Sequence, residues 1–241
     1  MDVSGTGPEP QRPVFTAEPF GQDGRTVLEL GHHAVLGLSP GNRYFSVPVL
    51  TGLLEWLGER FTRIDAVVPD SALEHTYRAL GYEPRRAAKK ARGETNVLRN
   101  RAARAWESLG GPRGTDGLHR MSELASGDVY RERYAECERA LADDPVLHET
   151  CAEMSTEVLA ARGSTGPPTG QALETAMRYL VAELPFFLAS ADIFGAPSSL
   201  NFYHRRLPLA ELVFSGDSVL KAPPWQGYAT VRPVTGEPGG G

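Results

Sequence analysis

The 241 residues are 41% hydrophobic and 23% charged, which is the composition of a globular chain able to bury one sizeable core and excludes a wholly disordered or collagen-like polymer. A formal net charge of -5 argues against a polyanionic partner unless the positive charge is gathered in one place. No apolar run approaches the roughly 20 residues that span a bilayer, and the Pro-, Gly- and acid-rich start lacks the order of a signal peptide, so a cytoplasmic protein with no membrane partner is expected.

Residues 1–15 and the tail 232–241 read as unstructured, leaving a single domain over 16–231. The run Ala34–Leu38 is a buried-strand candidate, and Val47–Phe61 follows with apolar residues at helical spacing. Ile64–Val68 is a second strand, closed by Pro69-Asp70, and Ser71–Leu80 reads as a helix capped by Ser71. From Val129 to Phe187 the pattern is helical, broken at Asp143-Asp144-Pro145 and at 163–168. Cys137 and Cys151 fall within it, in no zinc-binding spacing, and read as reduced packing thiols. A last strand over Ser199–His204 and a short helix from Pro208 complete the core. Strands alternating with helices predict an α/β fold with a mostly parallel sheet flanked by helices and a large helical insertion before the last strand. Ligands in such sheets collect beyond the carboxyl ends of strands, which directs attention to the residues after Leu38.

There Gly37-Leu38-Ser39-Pro40-Gly41 spells G-x-S-x-G, the pattern of a serine nucleophile on a strand-to-helix turn. A hydrolase elbow draws on the backbone N–H after the serine for its oxyanion hole, and Pro40 has none, which weighs against an esterase or acyltransferase. Ser39 as a polar turn residue is the plainer alternative. Further on, Tyr179 and Glu183 lie four apart, one turn of a helix, and Glu183 is followed by the apolar run Leu184-Pro185-Phe186-Phe187-Leu188. A carboxylate in that setting needs a cation, supplied by Arg178, Arg205 or a ligand. Pro185 should kink or end the helix beside it.

Eight of the 25 Lys and Arg fall between Arg85 and Arg104, against the single acid Glu94: Arg85, Arg86, Lys89, Lys90, Arg92, Arg99, Arg101 and Arg104. Gly93 is expected to split the segment, and Leu98, Ala102, Ala105 and Leu109 give its second part an apolar face. The charge is either a solvated helix face or the footprint of a phosphate backbone.

The run His33-Ala34-Val35-Leu36-Gly37-Leu38-Ser39 resembles the first signature of the cyclodipeptide synthases, H-x-aliphatic-aliphatic-G-aliphatic-S. Tyr179-Leu180-Val181-Ala182-Glu183-Leu184-Pro185 resembles the second, Y-aliphatic-x-x-E-x-P. Asn42 and the pair Tyr203-His204 are similar to the further signature of one subfamily. The resemblance implies a Rossmann-like domain akin to class I aminoacyl-tRNA synthetases, acting on two aminoacyl-tRNAs without metal, ATP or other cofactor; the chain has no Walker-type or KMSKS-like run, and His32-His33-Ala34 is not a HIGH signature. It implies Ser39 as nucleophile, with Tyr179 and Glu183 on the amino group of the bound residue and Tyr203 as proton relay. Asn42 and His204 would position the serine loop and last strand. Val35, Gly37 and Phe186 would line an apolar pocket for the first side chain, and tRNA would be held by Arg99, Arg101 and Arg104 together with Lys89, Lys90 and Arg92. The product would be a cyclic dipeptide. The amine of a second aminoacyl-tRNA would attack the aminoacyl-serine ester, giving a dipeptide still esterified to the second tRNA or returned to Ser39, of which the resemblance favours the dipeptidyl-serine. A monomer is expected, and the alternatives are a serine esterase and a non-catalytic tRNA-binding protein.

Overall fold

Strand β2 (His33–Gly37) sits at the centre of a six-stranded sheet ordered β1-β6-β5-β2-β3-β4, with β1 (Phe15–Pro19), β3 (Arg63–Val68), β4 (Gly117–Arg120), β5 (Ser199–Tyr203) and β6 (Gln226–Pro233). The computed structural model describes residues 14–234. All neighbours are parallel except β1, which runs antiparallel to β6. The helices are α1 (Gly21–Leu30), α2 (Val47–Gly58), α3 (Leu73–Ala79), α4 (Pro84–Glu107), α5 (Met121–Leu124), α6 (Asp128–Asp143), α7 (Pro145–Ala161), α8 (Gly170–Phe194) and α9 (Pro208–Ser215).

The apolar run of β2 is continuous because both faces are covered, as in parallel sheets generally. Ala34, Leu36 and Leu38 turn to one face, packing with Leu50, Leu53, Leu57, Leu98, Ala102 and Trp106 from α2 and α4. Val35 turns to the other, where Val67, Met121 and Phe186 meet it. After β4, which pairs with β3, the chain crosses through α5–α8 and returns as β5 on the opposite flank of β2. The carboxyl end of β2 is therefore the topological switch point, where a crevice opens for a ligand.

Several local expectations are corrected. Phe15 and Arg232–Pro233 belong to paired strands rather than to loose ends, and the remainder of the proposed terminal segments, 1–13 and 235–241, lies outside the described residues. β5 is not the last strand, since β6 follows; β1, β4 and α1 are further elements beyond those expected. Helix α3 starts at Leu73, with Ala72 at its cap position and no capping side chain, so Ser71 does not serve. Gly93 does not split the basic segment: α4 runs unbroken for 24 residues, its apolar face anchored by Ala87, Ala91, Leu98, Ala102 and Ala105. Packing on that face outweighs the roughly 1 kcal/mol that an internal glycine costs. Cys137 and Cys151 are free and buried, and among the described residues no helix is long and apolar enough to cross a membrane.

Helix α1 rests on β5 and β6 through Gly227, where a Cβ would lie 2.6 Å from Leu200 Cδ1 and 3.1 Å from the Cα of Gly24. Gly227→Ala should accordingly destabilise the fold by about 1–3 kcal/mol through overpacking. Denaturant unfolding checks this, and an unchanged midpoint would contradict the close packing of α1.

Candidate active site

Ser39 leaves the end of β2 two residues beyond Gly37, so it shares the sheet face of Val35. Its hydroxyl is hydrogen-bonded to that of Tyr203, the last residue of β5, the neighbouring strand on the other side of the switch point. Burial raises the Tyr203 phenol above its ordinary pKa, against the opposing effect of the Ser39 bond, so at neutral pH it is a protonated hydroxyl able to pass a proton on.

The loop after the serine is held in three ways. Asn42 Nδ2 donates to His204 Nε2 (3.0 Å), while its side-chain oxygen accepts from the Tyr44 N–H (2.9 Å). The His204 ring is stacked on Tyr44 (4.9 Å) and meets Phe45 edge-on (5.5 Å). Burial, then the charges of Arg205 and Arg232, push His204 down to about 4, which keeps it neutral and its Nε2 an acceptor at pH 7. The third tether is Arg162, just past the end of α7. Its Nη2 donates to the Pro40 carbonyl (3.1 Å), and the guanidinium pairs with Glu94 of α4 (3.1 Å) and reaches the Tyr77 hydroxyl (3.2 Å). Gly41 makes the turn with φ +78, a region that favours glycine; a Cβ there would meet Arg162 and Glu94 at 3.3 Å each.

Tyr179 and Glu183 project from one face of α8 into a cavity of about 420 Å³ that also takes in Ser39, Asn42, Arg162, Tyr203 and Arg205. A second cavity of about 50 Å³ lies beneath, lined by Val35, Gly37, Val67, Met121, Phe186 and Asn201; Glu183 and Tyr203 border both. Burial lifts the Glu183 carboxyl from its ordinary range to about 7, opposed only by the Tyr179 hydroxyl. Among the described residues no Arg or Lys pairs with it: neither Arg178 nor Arg205 supplies the expected cation.

Helix α8 does not stop at Pro185. It continues to Phe194, with the break one turn later at Ala189 (φ −149, ψ 27). The break frees the Phe186 carbonyl, which accepts from Asn201 Nδ2 (2.9 Å) and from the Ser190 hydroxyl. Asn201 thus ties β5 to the bent helix and fixes Phe186 against the deep cavity. His33, the first residue of the serine-bearing run, is buried at the opposite end of β2, between Asp65 (3.0 Å) and Ser199 (2.9 Å). Burial would raise Asp65, but its bonds from His119 and His33 and the charge of Arg63 outweigh this and hold it at about 2.

These features match a known family. The family model described as cyclodipeptide synthase covers residues 15–233. The chain belongs to the cyclodipeptide synthase family. Among relatives of this synthase-family member, the cyclo(L-tyrosyl-L-tyrosyl) synthase of Mycobacterium tuberculosis is 36% identical, over 91% of this chain and 76% of its own length. The cyclo(L-leucyl-L-phenylalanyl) synthase of Streptomyces noursei is 30% identical, over 90% and 91%. A solved Mycobacterium tuberculosis structure, described as demonstrating that cyclodipeptide synthetases are related to type I tRNA synthetases, superposes with a TM-score of 0.80 at 35% identity, covering 92% of this chain and 95% of that one. The fold is accordingly Rossmann-like.

Placed side by side, Ser39, Asn42, Tyr179, Glu183, Tyr203 and His204 converge on one crevice, and Val35, Gly37 and Phe186 share the cavity below it. Of the basic residues, Lys89, Arg92 and Arg104 are exposed, as is Lys90, whose ammonium lies over Tyr77 and Tyr82. Arg99 and Arg101 are partly buried and Arg99 Nε is enclosed, so these two are not the free surface charges expected. Arg162 and Asn201 escaped sequence reasoning. Arg162 precedes a Gly/Pro-rich break with no local signal, and its contact at Pro40 is 122 residues away.

Because the folded carboxyl of Glu183 titrates near 7 against 4.5 when free, the folded state holds the extra proton between those values and stability falls as pH rises through them. The cost by pH 8 is at most about 3 kcal/mol. Glu183→Gln should raise the unfolding temperature at pH 8 and leave it nearly unchanged at pH 4.5. Equal shifts at both values would show that the carboxyl is not held in its neutral form.

Proposed function

We propose that this family member joins two aminoacyl groups from two aminoacyl-tRNAs into a cyclic dipeptide through esters on Ser39. The observation that carries the reading is a partly buried acid, Glu183, that has no cation paired with it among the described residues and shares a cavity with a serine whose hydroxyl is already bonded to a tyrosine. The ammonium of an aminoacyl ester is the cation that fits.

In the first step the Ser39 oxygen attacks the ester carbonyl of an aminoacyl-tRNA. The new bond joins that oxygen to the acyl carbon; the bond to the tRNA ribose oxygen breaks, and the serine proton passes through Tyr203 to the leaving oxygen. The α-ammonium pairs with Glu183 and Tyr179, and the side chain lies in the cavity of Val35, Gly37 and Phe186. A carboxylate with a pKa near 7 is matched to take a proton from that ammonium. Its place beside the first amine makes that amine the attacking group. It attacks the ester carbonyl of the second aminoacyl-tRNA, frees that tRNA, and leaves a dipeptidyl-Ser39 in one step. This dispenses with the transfer to the second tRNA and back that attack by the second amine would require. The new terminal amine then attacks the Ser39 ester, closing the six-membered ring and restoring the serine. Each step exchanges an ester for an ester or an amide, so no further activation is required.

The exposed charges of α4, Lys89, Arg92 and Arg104, are assigned to the tRNA backbone, with Arg99 and Arg101 supporting from partly buried positions. The deep cavity holds no charged side chain beyond Glu183 at its mouth, which selects an apolar or aromatic first residue.

Incubation of the purified protein with a full set of aminoacyl-tRNAs, read by mass spectrometry, should give cyclic dipeptides containing at least one apolar or aromatic residue. At Gly37 a Cβ would make only ordinary contacts, at 3.7 and 3.8 Å, so the backbone tolerates a side chain there. Gly37→Leu should then fill the cavity and disfavour large first residues by about 1–3 kcal/mol, roughly 10–200-fold. A dominant product with two charged residues, or no cyclic dipeptide from any set, would contradict the proposal.

A further inference from the structure

A second positive surface stands on the other side of Ser39 from α4. Helix α4 packs over α2, α3 and the β3–β4 side of the sheet. On the β5–β6 side, Arg205 follows the end of β5 and borders the large cavity, and Arg232 lies near the end of β6. Arg43 joins them through the serine loop. The Tyr44 hydroxyl donates to the Val231 carbonyl (3.3 Å), so the contact between loop and strand is flanked in sequence by Arg43 on one side and Arg232 on the other. The charges of Arg205 and Arg232 both act on His204, which places them beside the Asn42–His204 tether.

All three arginines are exposed, and none is neutralised: among the described residues no acidic side chain pairs with Arg43, Arg205 or Arg232. The nearby acids are engaged elsewhere, since Arg206 takes both Glu18 (2.7 Å) and Glu211 (3.4 Å). In a chain of net charge -5, three uncompensated guanidinium groups, Arg205 lining the cavity and Arg43 and Arg232 flanking the loop-strand contact beside it, form a local anion site. Guanidinium is suited to phosphate oxygens by its fork of donors. A substrate esterified at the terminal ribose of an RNA must carry its last phosphodiesters to this mouth when its carbonyl reaches Ser39.

Resting on the tRNA reading above, we infer that Arg43, Arg205 and Arg232 hold the phosphodiesters of the single-stranded 3′ end of the tRNA, while α4 holds the duplex part. The two surfaces then clamp the acceptor from both sides of the serine. Arg205 also interacts with the Tyr203 hydroxyl, so Arg43 and Arg232, which have no part in the chemistry, are the residues to test.

The test uses the full chain and a deacylated bacterial tRNA, with and without its 3′-terminal CCA, and measures affinity across a salt series. In the Arg43→Gln/Arg232→Gln variant the slope of log affinity against log salt should fall in magnitude by about 1.4 on intact tRNA, about 0.7 for each lost single-strand contact. The trimmed tRNA should show no change. The Lys pair at the same positions should keep most of the slope, and unfolding temperatures of all variants should match that of wild type. A companion variant, Lys89→Gln/Arg92→Gln/Arg104→Gln, should lose slope on both RNAs. If it does so while the Arg43/Arg232 variant keeps the wild-type slope on intact tRNA, the inference fails and the tRNA reading survives. Equal losses on intact and trimmed tRNA would also overturn it, by assigning the surface to the duplex. If wild type binds neither RNA, the tRNA reading itself fails.

Discussion

An acid set partly buried at the wall of a cavity, with no counter-charge among the described residues, is the constraint around which the site is arranged. Glu183 is lifted to about 7 by desolvation, because α8 carries it beside Tyr179 into a crevice where, among the described residues, no Arg or Lys pairs with it. A purely structural carboxylate in such a place would be paired or replaced, since leaving it alone lowers stability at neutral pH. Under the proposed function its presence has a chemical reading: a substrate ammonium would complete the site, and the same elevated pKa would suit the group to remove that ammonium's proton.

Bringing a serine to this acid requires three distant parts of the chain to be rigid together. Ser39 comes from the switch point after β2, Tyr203 from the end of β5, and Glu183 from α8 in the helical crossover between β4 and β5. Three polar links hold these parts in register. Asn42 to His204 ties the serine loop to the end of β5, Asn201 to the Phe186 carbonyl ties β5 to the bent helix, and Arg162 ties the loop to α7 and α4 together. The Arg162–Glu94 pair also means that the basic helix and the nucleophile loop share one guanidinium. A polyanion held along α4, as proposed, would thereby be mechanically adjacent to the serine.

Much of this was legible before any coordinates. The apolar run before Ser39, the four-residue spacing of Tyr179 and Glu183 and the strand-helix alternation each carry their own periodicity, and each falls where expected. What escaped has a common physical cause. Strands β1 and β4 are edge elements whose composition resembles loops, and their identity comes from pairing rather than from local preference. Gly93 and Pro185, read as breakers, are overridden by packing along α4 and α8, and the actual break falls at Ala189, where Asn201 and Ser190 satisfy the carbonyl it releases. The roles of Arg162 and Asn201 rest wholly on contacts distant in sequence. His33, by contrast, is visible in the first signature but belongs to a buried network around Asp65, far along the strand from the chemistry.

The central claim is that Ser39 carries the growing product as an ester beside an acid that holds its amine. It is tested most directly by mixing the protein with a single aminoacyl-tRNA, quenching in acid and weighing the intact chain. The account predicts a mass gain of one aminoacyl residue, mapped by peptide fragmentation to Ser39, labile to base and absent from Ser39→Ala. Labelling at another residue, or an alanine variant that gains the same mass and turns over, would contradict it.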